Sequence, residues 1–466
     1  MYEQALSLYS IAEKRTPATN FSLEKAQLYA HLEKPELMIN EYFHELLQNP
    51  NQKSKIIYEV QKFLDNNGIK SKKNYELVKK ILLKYVKNEK KRTDFSEVLI
   101  WFFMQNQQFE MALKQAKSVE KRTNGTGEKV FTIAESLLEN KHYLLAIKAY
   151  NFLIEKGGGN YFFIQSSINK LYAETKIIEE KKEDLNKINA SYKETISKLG
   201  ANKNTVRLLI NYAHFKAFYL YKLNEAKEIL INTMNISGIS KNNLAECKLE
   251  YADIELLLGN IWESLLYYSQ VEKSFKESPL GHEAKLRRAK ISYYQGNFQW
   301  AQAQLNVLKA STSKLIANDA MQLSLLITDN YNLDTSELAM KVFANAELLT
   351  YQKKYNEAII KFDSILMAFK GHSLSDEIYL RKADIYIKKG NTTMALNMYQ
   401  KIIDEWPYDI LTDEALYRQA KIYELILNKK EEAIRIYKQI LLDHTGSIYT
   451  IEARKIIREL QKEKIP

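Results

Sequence analysis

Apolar residues recur along this chain at i, i+3, i+4 and i+7, with polar residues between them. That period belongs to helices carrying one buried stripe. No segment keeps the strict alternation of a half-buried strand, so no strand is predicted. Short polar breaks separate the stripes. One is Lys-Gly-Asn at 389–391, where Gly390 supplies the left-handed conformation that ends a helix. The pattern predicts helix pairs from end to end, and the clearest is DEIYLRKADIYIKKGNTTMALNMYQKIIDEWP, Asp376–Pro407.

Counted from Asp376 as position one, Ala383 is eighth, Tyr386 eleventh, Gly390 fifteenth, Ala395 twentieth, Tyr399 twenty-fourth and Pro407 thirty-second. The alanines let two helices approach closely. The aromatics three or four residues away share their face. Pro407 stops the second helix because it cannot continue the hydrogen-bond ladder. Ala346, Tyr355, Ala358 and Phe362 repeat the frame 37 residues earlier, and Ala420, Tyr423, Ala433 and Tyr437 repeat it later with one residue inserted before Ala433. Ala289, Gly296, Phe298, Ala301 and Leu305 form another unit, as do Ala252, Gly259, Trp262 and Tyr268. Ala134, Tyr143, Ala146 and Tyr150 fit. So do Ala112 and Ala116 after Trp101, and Ala26, Tyr29, Tyr42 and Pro50. Ala217, Ala226 and Leu230 match loosely. A fixed 34–37-residue period separates this chain from an ordinary helical bundle.

These positions are where the tetratricopeptide motif has its small residues, aromatics, turn and closing proline, and the chain resembles that family. The resemblance implies an all-α fold: a right-handed α-solenoid of about ten to twelve helix-turn-helix repeats. The amphipathic end IEARKIIRELQKEKIP is expected to cap the last apolar face. Four segments are expected: N-terminal repeats over 1–160, divergent repeats with a long charged helix over 161–243, a regular array over 244–443 and the cap over 444–466. Residues 315–352 hold more helix than one unit needs. The opening MYEQALSLYSIAEKRTP reads as the second half of a repeat, so the native chain is expected to extend upstream of Met1, where any export signal would lie.

The loops FKGHSLSDE, WPYDILTDE and HTGSIYTIEAR resemble those of bacterial envelope tetratricopeptide proteins, such as the Tol-Pal-associated coordinator and the lipoprotein of the outer-membrane β-barrel assembly machine. Where those proteins have Tyr-Pro-x-Ser, this chain has Trp406-Pro407-Tyr408-Asp409 and His444-Thr445-Gly446-Ser447. The chain as a whole is similar to tetratricopeptide proteins of Bacteroidetes. This likeness implies a non-catalytic scaffold between envelope proteins, in the periplasm or at the periphery of the outer membrane. The alternative is a cytoplasmic chaperone-like or regulatory binding module.

Composition supports long helices, since the 466 residues include only 14 Gly and 6 Pro. The 31 tyrosines suit a thin array, where many packed positions lie near solvent. Net charge is +11. Part of the excess lies in KSKKNYELVKKILLKYVKNEKKR, residues 70–92, read as a basic amphipathic helix with Leu77, Ile81, Leu82 and Tyr85 inward. In the cytoplasmic alternative this region would contact nucleic acid. No apolar run is long enough to span a membrane; an anchor encoded upstream of Met1 would allow peripheral association.

The single cysteine, Cys247, excludes an internal disulfide and reads as a buried small hydrophobe. His282, His372 and His444 are expected in loops, and none of the seven histidines shows metal-ligand spacing. The run GTGEK at 125–129 lacks phosphate-loop spacing, and Gly157-Gly158-Gly159 reads as a loop after a helix. No catalytic residue, cofactor or metal is therefore expected, and the partner is expected to be a protein or peptide. In such arrays the first helix of each pair lines a concave groove. Its outward positions, roughly the second, fifth, ninth, twelfth and thirteenth, fall on Asp253, Lys290, Tyr293, Tyr294, Glu347, Tyr351, Asp384, Lys388, Tyr417 and Lys421. These ten are the candidate binding residues.

Overall fold

The computed structural model describes every residue except 17–18, 66–70, 182–184, 312, 332–336 and 463–466. Its described residues form 25 α-helices and no strand, in two compact units, Met1–Phe215 and Lys216–Pro466. The boundary falls inside the segment expected to hold divergent repeats.

The first unit contains α1 (Tyr2–Arg15), α2 (Ser22–His31), α3 (Pro35–Gln48), α4 (Lys53–Asp65), α5 (Ser71–Asn88), α6 (Asp94–Gln105), α7 (Phe109–Thr123), α8 (Glu128–Glu139), α9 (Tyr143–Ile154), α10 (Phe163–Lys181), α11 (Leu185–Leu199) and α12 (Val206–His214). The second contains α13 (Leu223–Met234), α14 (Lys241–Leu258), α15 (Ile261–Ser274), α16 (Pro279–Tyr294), α17 (Phe298–Leu308), α18 (Lys314–Tyr331), α19 (Leu338–Tyr351), α20 (Tyr355–Ala368), α21 (Ser375–Lys388), α22 (Thr392–Glu405), α23 (Ile410–Lys421), α24 (Lys430–Asp443) and α25 (Thr450–Lys462). Within each unit the two helices of a pair pack together, and the first helices of successive pairs also touch, as in α14–α16 and α21–α23. This is an all-α helical-repeat solenoid architecture.

The small residues of the frame sit where the helices cross. Ala252, Ala289, Ala346, Ala383 and Ala420 are fully buried, as are their second-helix counterparts Ala301, Ala358, Ala395 and Ala433. Ser264 takes the alanine place in α15 and donates its hydroxyl to the Ala252 carbonyl at 2.8 Å. The turn at Gly390 has the expected form: φ is +72°, the Asn391 amide returns to the Tyr386 carbonyl at 2.8 Å, and the Asn391 side chain accepts from Met394 N–H to start α22. The residue inserted before Ala433 is absorbed by a π-helical turn at Ile422–Ile426.

The charged stretch at 171–200 is a helix pair, α10 and α11. The surplus helix in 315–352 is α18, an extra element between the pairs α16/α17 and α19/α20, with α16 touching both α18 and α19. The terminal helix α25 buries Ala453, Ile456, Ile457 and Leu460 against α24. One expectation is corrected: His282 lies in the first turn of α16 rather than in a loop, bonded through Nδ1 to Ser311 Oγ at 2.9 Å. Cys247 is buried.

Candidate functional site

The ninth position of each first helix follows the buried alanine. In four pairs it carries an acid: Glu135, Asp253, Glu347 and Asp384. The structure commits all four. Asp253 accepts from Tyr268 Oη at 2.5 Å and from Arg287 Nη1 at 2.5 Å. Glu347 accepts from Arg381 Nε at 2.6 Å and from Tyr293 Oη at 2.6 Å. Asp384 accepts from Arg418 Nη1. Glu135 accepts from Tyr150 Oη at 2.5 Å and from Asn169 Nδ2 at 2.7 Å. Each basic or amide partner lies 34 residues beyond its acid, on the first helix of a following pair. In the Glu135 and Asp253 sets the tyrosine lies 15 residues on, in the second helix of the same pair. The result is a polar ladder that fixes one repeat to the next. Burial pushes the Asp253 carboxyl up while the Arg287 guanidinium pulls it down. Burial, then the neighbouring Asp253 carboxylate, pushes the Tyr268 phenol well above its ordinary range. In α23 the ninth position is Lys421, and within the π turn Glu424 takes the tyrosine bond instead, from Tyr437 Oη at 2.7 Å.

The ladder changes the reading of the candidate residues. Asp253, Glu347 and Asp384 are bound within the array rather than open to a ligand. Tyr293, expected on an exposed face, is 1% exposed, and Tyr294 packs beside it at 5.6 Å between ring centroids. The end of α19 reaches α14 and the turn before α13. Tyr351 Oη lies 3.5 Å from the Asp253 carbonyl, and Gln352 donates to the Leu256 carbonyl at 3.0 Å. Tyr221 Oη donates to the Gln352 carbonyl at 2.9 Å, and Lys353 donates to that of Phe218. Between α14 and α19 the expected groove is thus filled by the array's own side chains. A cavity of about 300 Å³ remains, lined by Lys290, Tyr294, Asp319, Leu323 and Arg381 among others, with α18 as one wall. Lys290 lies 3.8 Å from Asp319. Tyr417 stacks on Tyr449 at 4.4 Å, and Lys421 lies within 4 Å of Glu424 and Glu452. Of the ten, Lys388 is exposed.

In the first unit Glu135 is the ladder acid described, and the step before it breaks the pattern. In α6 the ninth position is Trp101, and 31 residues on, in α8, stands Thr132, which takes the place that Arg287, Arg381 and Arg418 hold elsewhere. Neither can form the ladder pair. A cavity of about 540 Å³ opens there, lined by Ile100, Trp101, Met104 and Ile133, with Glu97, Glu128 and Lys129 at its rim. Trp101 is half-buried, and its indole has no hydrogen bond or ring partner among the described residues. Glu97 is held between Lys53 at 2.5 Å and Lys129 at 3.4 Å. A Trp on the groove side with apolar neighbours is the usual makeup of a binding anchor pocket. The ten candidates did not include it. The signal was the same nine-position count that selected Asp253 and Glu347.

The tetratricopeptide repeat model matches residues 377–407 and 414–447. These are the α21/α22 and α23/α24 pairs. No curated protein matches the chain. Among solved structures, a tetratricopeptide repeat protein from Parabacteroides merdae is 19% identical, over 63% of this chain and 99% of that one, with a TM-score of 0.27. Yeast Tom70 is 13% identical over 92% and 95%, with a TM-score of 0.34. Human IFIT1 is 11% identical over 96% and 90%, with a TM-score of 0.33. The repeat assignment stands on the helix pairs, the buried alanines and the family match, not on these scores.

Proposed function

We propose that this chain is a non-catalytic protein-binding scaffold that takes a partner segment by an apolar side chain in the α6/α8 pocket. The observation that carries this reading is the break in the ladder at Trp101 and Thr132. Elsewhere the groove-side carboxylates are engaged by tyrosine, arginine or asparagine, and between α14 and α19 the groove is filled. At Trp101 the array leaves an apolar surface uncovered, at a cost in exposed indole that a bound side chain would recover. The rim charges at Glu97, Glu128 and Lys129 suit a peptide backbone crossing above a single buried anchor.

Selection of a displayed peptide library on the full chain tests this. The expected selectants share one large apolar residue and lose at least about tenfold in affinity on Trp101→Asp, which places a charge in an apolar pocket. Selectants with no common apolar residue, or indifferent to that substitution, would defeat the proposal. The bacterial-envelope setting implied by the loops at 406–409 and 444–447 is part of the same proposal. An export signal or a lipid-attachment cysteine encoded upstream of residue 1 would support it. A native start without either would remove it.

A further inference from the structure

The helix α5 buries Val78, Ile81 and Leu82 against the neighbouring helices of its unit. Lysine dominates its outer face, with Lys72, Lys73, Lys80, Lys84 and Lys87 exposed beside Glu76, Leu83 and Asn88. At 100° per residue, Lys73, Lys80, Lys84 and Lys87 fall within about 60° of one another, along about 21 Å of helix. The turn that follows adds Lys90 and Lys91. All six are exposed, and no carboxylate of the described residues lies within ion-pair distance of any of them. The contrast with the rest of the unit is plain. Lys25, Lys53 and Lys129 are paired with glutamates. Lys79, one position off the row, pairs with Glu76 at 3.8 Å. Like charges at i, i+3 and i+4 repel, so nothing in the fold itself favours this row.

We propose that the α5 lysine face is a peripheral docking surface for an anionic lipid membrane. Three observations favour lipid over nucleic acid. The basic side chains of the row are all lysine, and Arg92 is occupied by Asp94 and by the carbonyls of Leu46 and Leu47. Tyr75 and Tyr85 are stacked on Phe102 and Phe95, so no ring of α5 is available to a base. The helix packs against α3, α4 and α6, so it presents a shallow strip and cannot enter a duplex groove. Leu83, 43% exposed, stands beside Lys80, Lys84 and Lys87, where an apolar side chain suits a headgroup interface better than a phosphate backbone. No described helix is long and apolar enough to cross a membrane, so the contact is electrostatic and reversible, and it weakens with salt.

Sedimentation of the full chain with vesicles tests the proposal. The chain is expected to bind vesicles of mixed phosphatidylglycerol and phosphatidylcholine at low salt and to leave phosphatidylcholine vesicles unbound. Lys80→Glu, Lys84→Glu and Lys87→Glu together should weaken binding at least about tenfold. Lys241→Glu, Lys273→Glu and Lys276→Glu, at exposed positions of the second unit, make the same change of net charge and should weaken it far less. Circular dichroism of both triple variants should match the parent. Equal binding to both vesicle types, or equal loss in the two variants, would overturn the proposal. So would tighter binding of duplex DNA or RNA than of anionic vesicles at one salt concentration, which would make the face a nucleic-acid surface.

Discussion

Replacing Arg287 by methionine removes the charge of one ladder rung while keeping most of the stem. The lost contacts are Arg287 Nη1 to Asp253 at 2.5 Å and Nε to Glu283 at 2.9 Å. Asp253 keeps only the Tyr268 hydroxyl. An exposed pair is worth about 0–1 kcal/mol, and breaking a fully buried pair costs about 3–5 kcal/mol. The side chains of Arg287 and Asp253 are 27% and 16% exposed. The expected loss is therefore between those limits, about 2 kcal/mol. Asp253→Asn alone should cost a similar amount. The double variant should cost less than the sum of the two, because the stranded charge is then gone. Hydrogen exchange suits a repeat array better than one global midpoint, because such arrays open locally. Amides of α14, α15 and α16 should exchange faster in Arg287→Met, and those of α23 and α24 should not change. A loss below about 0.5 kcal/mol, or strictly additive single variants, would refute the ladder as a source of repeat coupling.

Two glycines are expected to fail for different reasons. At Gly281 an added Cβ would lie 1.9 Å from the Phe275 carbonyl oxygen, so Gly281→Ala should cost about 2 kcal/mol or more and lower the melting midpoint sharply. At Gly390 no atom lies within 4 Å, but φ is +72°, so Gly390→Ala should cost only about 1 kcal/mol of left-handed strain. Burial, then the neighbouring Asp376 carboxyl, pushes Glu377 up to about 9 from 4.5. Folded Glu377 keeps its proton across a range in which the unfolded chain releases it, so this group lowers stability as pH rises from about 4.5 to 9. Thermal melts should show a steeper fall from pH 5 to pH 8 in the parent than in Glu377→Gln.

The fold was legible because close helix crossings demand small residues. Ala346, Ala383 and Ala420 mark those crossings at the repeat spacing, and each is fully buried. The ladder was also present in the sequence as Asp253–Arg287, Glu347–Arg381 and Asp384–Arg418, each 34 apart. The pattern of small and aromatic residues does not reveal it. Position counting put Tyr293, Glu347 and Tyr351 on an open concave face, but Tyr293 is buried and Glu347 is bonded within the array, because α19 reaches α14. That closure depends on how successive repeats stack; the surplus helix α18 is legible in residues 315–352, but its effect on the path of the chain is not. In the sequence Trp101 reads only as an aromatic of the repeat frame. Its exposure depends on what stands opposite, and Thr132 is too small to cover it.

The most direct test of the account is photo-crosslinking from two groove-side positions of the full chain, with benzoylphenylalanine placed at Trp101 or at Tyr351, in a lysate of the source organism. Position 101 is expected to yield a discrete adduct with a partner protein, competed by a selected peptide with an apolar anchor. Position 351, turned into the filled part of the array, should crosslink only within the chain. Partner adducts at 351 with none at 101 would contradict it.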